Sequence, residues 1–140
     1  MMQAKSYIFS GYLLGQRIPQ RVQNIVVREY ATAIGVSVSF PSVEYSFAGS
    51  TAILNSLIDT CNIGEMIIFY SITQMPENES NRQDFYEIVN AKRLKIHFAL
   101  ESIEMSNKSS FLFVEDLLTI KRFHSLIDHS ILSIMDVNTF

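Results

Sequence analysis

Two carboxylates stand where the predicted strands of this chain end. Glu77 and Glu101 follow apolar runs at 66–70 and 95–100, and the first run is typical of a strand that is buried on both faces. Carboxyl ends of parallel strands share one edge of a sheet, so we expect the two side chains to converge. Two carboxylates in a partly dry cleft can act as acid and base. The alternative is that Glu77 stabilises a helix start and Glu101 binds loop amides.

Two arginines form a candidate anion site. Arg17 and Arg21 flank the predicted start of the first helix, where free N–H groups and the helix dipole favour negative charge. Guanidinium groups bind phosphate or carboxylate bidentately. Otherwise these arginines are solvated, or they pair with Glu44 or Glu77.

The remaining candidates are polar residues of the same loops. Ser10 ends the first strand and is a candidate nucleophile, which requires an activating base beside it. Gln74 and Asn78 suit sugar hydroxyl groups, and they suit turns and helix caps equally well. The other predicted substrate-binding residues are Gln20, Asn24, Glu44, Tyr45, Ser71 and Ser102.

The sequence predicts no metal and no cofactor. Cys61 is the single cysteine, so a disulfide within the chain and a cysteine-based zinc site are both excluded, and its apolar setting predicts a place in the core. His97 lies inside an apolar strand, which favours a buried structural histidine. His124 and His129 have no metal-ligand spacing. Neither a Walker A loop nor a G-x-G-x-x-G fingerprint occurs.

The elements that must position these residues alternate between strand and helix. Strands are predicted near 7–9, 36–40, 66–70 and 95–100, and helical spacing covers 22–34, 53–61, 79–93, 114–121 and 123–135. Predicted caps are Ser50, Asn78 and either Ser109 or Ser110. This alternation implies parallel strands joined by right-handed crossovers. We therefore predict a three-layer α/β fold with a mostly parallel four-stranded sheet in the order 2-1-3-4, helices on both faces and a C-terminal helix.

Composition limits the function classes. With 140 residues, 48% of them hydrophobic, the chain is expected to form a single α/β domain over 1–140, with its core at about 5–122 and a C-terminal helical segment at 123–135. A net charge of −3 supplies no basic field for nucleic acid, so no nucleic-acid partner is expected. No apolar run approaches the roughly 20 residues that span a bilayer. We expect a cytoplasmic protein without a membrane partner.

Three ordered blocks resemble the sporadic carbohydrate cluster protein family. They are RIPQRVQN at 17–24, SITQMPE at 71–77 and HFALES at 97–102, and Glu44-Tyr45 also matches that family's pattern after strand two. The resemblance covers about residues 6–125. It implies a small bacterial protein encoded beside genes for surface-carbohydrate biosynthesis, of the exopolysaccharide or lipopolysaccharide kind, and it implies no particular reaction.

A second, more distant resemblance concerns the scaffold. The order and spacing of the elements are similar to the catalytic domain of serine recombinases, or resolvases, in which a strand ends at a nucleophilic serine and a QR-type helix follows. Ser10 and Gln20-Arg21 or Gln23 stand in similar places. The recombinase pattern also has arginines around the serine and a DRLxR-like segment, whereas 71–77 here contains no arginine. DNA phosphoryl transfer needs such cations, so the resemblance implies only a resolvase/flavodoxin-like fold.

Two hypotheses from different classes remain open. In the first, an enzyme binds an anionic sugar intermediate through Arg17 and Arg21, while Glu77 and Glu101 move protons in an isomerisation or elimination-type step. In the second, a non-catalytic subunit docks onto a biosynthetic enzyme. A DNA-acting recombinase relative ranks third. The apolar segment 123–135 also predicts a homo-oligomer, a dimer, through the C-terminal helix.

Overall fold

The computed structural model describes residues 2–137 and side chains up to residue 127. The strands in this part of the chain are β1 (Gln3–Phe9), β2 (Ser37–Val38), β3 (Ser42–Glu44), β4 (Met66–Phe69), β5 (Lys95–Phe98) and β6 (Ile103–Met105). The helices are α1 (Gln20–Ala33), α2 (Ala52–Asp59), α3 (Glu79–Ala91) and α4 (Lys108–Val137), with a 3₁₀ turn, η1, at Ile72–Gln74. No helix in the described range is long and apolar enough to cross a membrane.

The sheet has the order β2-β1-β4-β5-β6, and β3 also pairs with β1. All pairs are parallel except β5 with β6. The α/β class and the relative order of the four predicted strands are confirmed. Two details differ from the prediction: the strand expected at 36–40 is divided into β2 and β3, and β6 adds an antiparallel edge. Pro41 lies in the interruption, and proline has no N–H to donate to a sheet.

Side chains from both faces of the sheet are buried. Ile67, Phe69 and Phe98 pack with α2, α3 and α4 on one face. Ile8 and Ile68 pack with α1 on the other. Each buried side chain of this size contributes about 1.5–3 kcal/mol. The apolar run that predicted a doubly buried strand is therefore β4, whose four residues are all buried.

The last helix is one continuous element of 30 residues, where the sequence predicted two. No glycine or proline interrupts the run from 108 to 137. Asn107 caps it, because its Oδ1 accepts from the Ser110 N–H at 3.0 Å and Ser110 Oγ accepts from the Asn107 N–H at 3.0 Å. The prediction of Ser109 or Ser110 as the cap is therefore wrong, because the capping residue lies two or three positions earlier in the sequence. Ile131, Leu132 and Ile134 of the predicted apolar segment lie beyond the described side chains.

His97 is buried on the α1 face, as the sequence predicted. Its Nδ1 lies 2.6 Å from the Tyr30 hydroxyl, and Nε2 lies 4.0 Å from a carboxylate oxygen of Glu104. Burial lowers the pKa of His97 below its ordinary value of 6.5; Glu104 opposes this and Lys95 adds to it. At neutral pH the neutral form of His97 therefore predominates in the folded protein.

We predict that acidification to pH values just below 6.5 lowers the free energy of unfolding, because the unfolded chain then binds a proton that folded His97 resists. Denaturant titrations at several pH values measure this effect. The His97→Gln variant is expected to show a flatter pH dependence, and His124→Gln, which changes an exposed histidine, serves as the control. Equal slopes for wild type and His97→Gln would contradict the assignment.

Candidate functional site

A cleft of about 510 Å³ opens at the carboxyl ends of the parallel strands. Loops after β1, β3 and β4 form most of its wall, and α4 closes one side. Open α/β sheets bind ligands at this edge. Its aromatic, charged and hydroxyl-bearing lining includes Tyr12, Tyr45, Phe47, Thr73, Glu77, Lys121 and Arg122.

The cations of the cleft come from α4. Lys121 and Arg122 both line it, whereas Arg17 and Arg21 are exposed at the start of α1 and are absent from its lining in the described part of the chain. Sequence reasoning did not select Lys121 or Arg122. The available signal was an adjacent pair of cations in an apolar helix, and only the packing of α4 shows that this pair faces the strand ends.

Glu101 lies behind Lys121. Its carboxylate accepts hydrogen bonds from Ser71 Oγ at 2.7 Å, from the Ile72 N–H at 2.9 Å and from Lys121 Nζ at 2.8 Å. The Glu101 side chain is 12% exposed. It therefore joins the β5–β6 turn to η1 and to α4. Glu77 is exposed and lines the cleft itself, so the two predicted catalytic carboxylates have different surroundings.

Glu44 is buried beneath the β3–α2 loop. It accepts from the Tyr7 hydroxyl at 2.7 Å, from Ser50 Oγ at 2.9 Å and from the N–H groups of Tyr45, Ile53 and Leu54 at 3.1–3.2 Å. Burial by itself would raise the pKa of Glu44, but the bonds from Tyr7, the α2 amides and Ser50 lower it below its usual value. The hydrogen bonds that Glu44 accepts thus all come from groups within the fold.

The start of α2 corrects a predicted cap. Its N-cap is Thr51, which makes no side-chain capping bond, whereas Ser50 was the predicted cap. Glu44 binds the free amides of Ile53 and Leu54 instead, from a strand that precedes the helix. Because an internal carboxylate occupies this helix start, it is closed to an external anion.

Ser10 and Gln23 fix the end of β1. The Ser10 hydroxyl donates to the Glu44 carbonyl oxygen at 2.6 Å, and a backbone carbonyl is not a base that could activate a nucleophile. Gln23 is fully buried: its Oε1 accepts from the Phe9 N–H, and its Nε2 donates to the carbonyl oxygens of Phe9 and Ile18, each at 2.9 Å. Gln23 thereby attaches α1 to the strand end.

Some of the other predicted site residues form hydrogen bonds with the backbone, and the rest lie at or near the surface. Gln74 is buried and forms a capping box with Ser71, while Asn78 is the N-cap of α3, as the sequence allowed. Gln20 is exposed and Asn24 is half-buried on α1. Ser102 is exposed, with a left-handed φ of 56°.

Exposed aromatic rings form a second wall of the cleft. The rings of Tyr45 and Phe47 stack with centroids 5.7 Å apart and an angle of 12° between their planes. Their side chains remain 54% and 66% exposed, and Tyr12, also in the lining, is 68% exposed. The stacked pair offers a flat apolar surface next to water, which is typical of ligand contact more than of core packing.

An ion pair fixes the loop that carries Glu77. The guanidinium of Arg82 donates to Glu115 on α4 at 2.9 Å and to the carbonyl oxygens of Pro76 and Glu77 at 3.2 Å and 2.8 Å. Arg82 is 7% exposed. This arrangement connects the loop after η1 to the helix that provides Lys121 and Arg122.

Solved structures with a similar fold include a resolvase family site-specific recombinase and the catalytic domain of an integrase. No protein-family model matches the sequence, and no curated protein matches it. A resolvase family site-specific recombinase from Streptococcus pneumoniae superposes with a TM-score of 0.61 at 10% identity, over 98% of this chain and 99% of that one. The N-terminal catalytic domain of TP901-1 integrase gives a TM-score of 0.52 at 19% identity, over 88% and 98%. The predicted scaffold resemblance is confirmed, and the chain has the resolvase fold. The resemblance to the sporadic carbohydrate cluster family finds no support among these comparisons.

We predict that Glu44→Gln lowers the free energy of unfolding by about 2–3 kcal/mol, because an amide places a donor among hydrogen-bond donors and leaves buried groups unsatisfied. Denaturant titration at neutral pH measures the loss. Glu29→Gln makes the same chemical change on the exposed side of α1 and is expected to stay within about 0.5 kcal/mol of wild type. An unchanged free energy of unfolding in Glu44→Gln would show that the buried hydrogen-bond network does not contribute to stability.

Proposed function

We propose that the protein binds a small anionic sugar intermediate in the cleft at the strand ends. The candidate ligands are a sugar phosphate, a nucleotide sugar or a keto-sugar acid. One observation carries the proposal: the stacked rings of Tyr45 and Phe47 and the cations Lys121 and Arg122 line the same cleft. An aromatic surface suits the apolar face of a sugar ring, and the cations suit a phosphate or carboxylate. The volume of about 510 Å³ lies within the range of small-molecule sites.

The carboxylate in the cleft lining favours proton transfer as the chemistry at the bound sugar. Glu77 is the carboxylate that lines the cleft, so within this proposal it is the group that meets the substrate in an isomerisation or elimination-type step. Glu101 holds Lys121 at the cleft and is assigned a positioning role. The setting that we propose is surface-carbohydrate biosynthesis, on the resemblance of the blocks at 17–24, 71–77 and 97–102.

A second candidate function is that of a non-catalytic docking subunit. The exposed face of α4 carries five apolar side chains among the polar residues Asp116 and Thr119; these apolar members, each more than half exposed, are Leu112, Phe113, Ile120, Phe123 and Leu126. They cover a stripe on the side of the helix away from the core residues Val114 and Leu118. This stripe also supports the predicted homodimer, and a biosynthetic enzyme is the alternative partner.

The recombinase fold neighbours fit a DNA-acting function, which we rank third. The segment 71–77 has no arginine, and the Ser10 hydroxyl donates to a carbonyl oxygen. Phosphoryl transfer requires cations around the phosphate and a base for the nucleophile.

We predict that a thermal-shift screen of sugar phosphates, nucleotide sugars and sugar acids gives a ligand that stabilises the wild-type protein. A ligand at one hundred times its dissociation constant adds about 2.7 kcal/mol. Arg122→Gln is expected to lose most of this shift because it removes a cation of the cleft. The matched variant Arg21→Gln, also on a helix but outside the cleft lining, is expected to retain it.

The reverse pattern, with the shift lost only in Arg21→Gln, would move the anion site to the start of α1. If no compound stabilises the wild-type protein, the proposal of an anionic sugar ligand fails and the docking subunit becomes the better candidate.

We predict that the wild-type protein is a dimer by multi-angle light scattering and that Phe123→Glu makes it a monomer, because a charge in the apolar stripe opposes burial. Phe40→Glu provides the control, since Phe40 is 90% exposed and lies outside α4. A monomeric wild type at micromolar concentration would contradict the homodimer.

A further inference from the structure

A chain of hydrogen bonds connects two points of the cleft lining. Thr73 Oγ1 lies 3.0 Å from Ser71 Oγ, which lies 2.7 Å from Glu101 Oε2, and the same carboxylate oxygen lies 2.8 Å from Lys121 Nζ. Thr73 and Lys121 line the cleft, whereas Ser71 is 1% exposed. Thr73 and Lys121, the two ends of this hydrogen-bond chain, are therefore connected through Ser71 and Glu101, which do not line the cleft.

The charge of Glu101 fixes the direction of every bond in this chain. An ionised carboxylate only accepts hydrogen bonds, and Glu101 accepts three, including the one from the Ile72 N–H. Ser71 has a single hydroxyl proton, so that proton goes to Glu101. Ser71 Oγ must then accept from Thr73, which it does from both the N–H at 3.2 Å and the hydroxyl at 3.0 Å.

The consequence for the cleft is a fixed polarity at Thr73. A threonine hydroxyl normally rotates to donate or to accept as its partner requires. Here its only proton is used inside the protein, which leaves its lone pairs for a ligand. The ammonium of Lys121 has the opposite character, because it can only donate. The cleft lining thus contains the Thr73 hydroxyl, which can only accept a hydrogen bond from a ligand, and the Lys121 ammonium, which can only donate one.

We propose that Thr73 is a specificity-determining residue that accepts a hydrogen bond from a hydroxyl group of the sugar. This assignment rests on the proposed function, and it narrows the ligand class. A sugar phosphate with a free hydroxyl at the matching carbon is selected, while a deoxy analogue or a keto group there is discriminated against. A keto oxygen would face the lone pairs of Thr73 without a proton between them, and unpaired polar groups in a site weaken binding strongly.

The test uses isothermal titration calorimetry of the whole chain with two probes. These are inorganic phosphate and the hexose phosphate that stabilises the wild type most among the 1- and 6-phosphates of glucose, galactose and mannose. Thr73→Val is expected to weaken binding of the hexose phosphate about tenfold and to leave phosphate binding unchanged. Thr73→Ser, which keeps the hydroxyl, is expected to restore most of the affinity. Thr119→Val is the matched control, because the Thr119 hydroxyl bonds to a carbonyl within α4.

A monodeoxy series of the same hexose phosphate distinguishes recognition from a structural role. One analogue is expected to bind the wild type about tenfold more weakly, and this loss is expected to disappear in Thr73→Val, since the two changes remove the same bond. The assignment is overturned if Thr73→Val binds the hexose phosphate as wild type does, or if it loses both probes equally. If the wild type binds inorganic phosphate but none of the hexose phosphates, the assignment of Thr73 is overturned. The proposed function itself fails only when nucleotide sugars and sugar acids also leave the wild type without stabilisation.

Discussion

The carboxylate of Glu101 is the group on which the architecture of the cleft depends. Its hydrogen bonds come from a side chain, a backbone amide and an ammonium, which belong to the loop after β4 and to α4. One negative charge therefore fixes the position of Lys121 and the direction of the bond between Ser71 and Thr73. An apolar residue at this position would leave an ammonium without its partner and a serine proton without its acceptor.

Glu44 has a similar role at the wall of the cleft that the β3–α2 loop forms, where its hydrogen bonds fix the position of that loop. It satisfies the free amides of α2 and the hydroxyl of Tyr7, and so it holds the loop that carries Tyr45 and Phe47 against β1. Both carboxylates lie at strand ends, where a parallel sheet concentrates polar groups. Both are hydrogen-bonded to groups that shape the cleft, and among the described residues Glu77 is the carboxylate in its lining.

The shared fold with recombinase catalytic domains extends over nearly the whole chain, yet identity is only 10–19%. A fold of this kind fixes where a site forms and leaves the chemistry to the loops. In this chain the loop after β4 provides Thr73 and Glu77, and α4 provides two cations. This mixture of hydroxyl, carboxylate and cationic groups with stacked aromatic rings is the basis of the anionic sugar ligand that we propose.

Features that depend on neighbouring residues could be predicted from the sequence. The apolar run 66–70 predicted β4, helical spacing predicted α1 to α3, and Asn78 was recognised as a cap, because periodicity and capping act within a few residues. Contacts between polar groups that are distant in the sequence depend on the tertiary structure. Glu44 bonds to Tyr7 across 37 positions, and Lys121 bonds to Glu101 across 20. The first pair follows from the pairing of β1 with β3 and the second from the packing of α4 on the sheet, and no local sequence pattern predicts either contact.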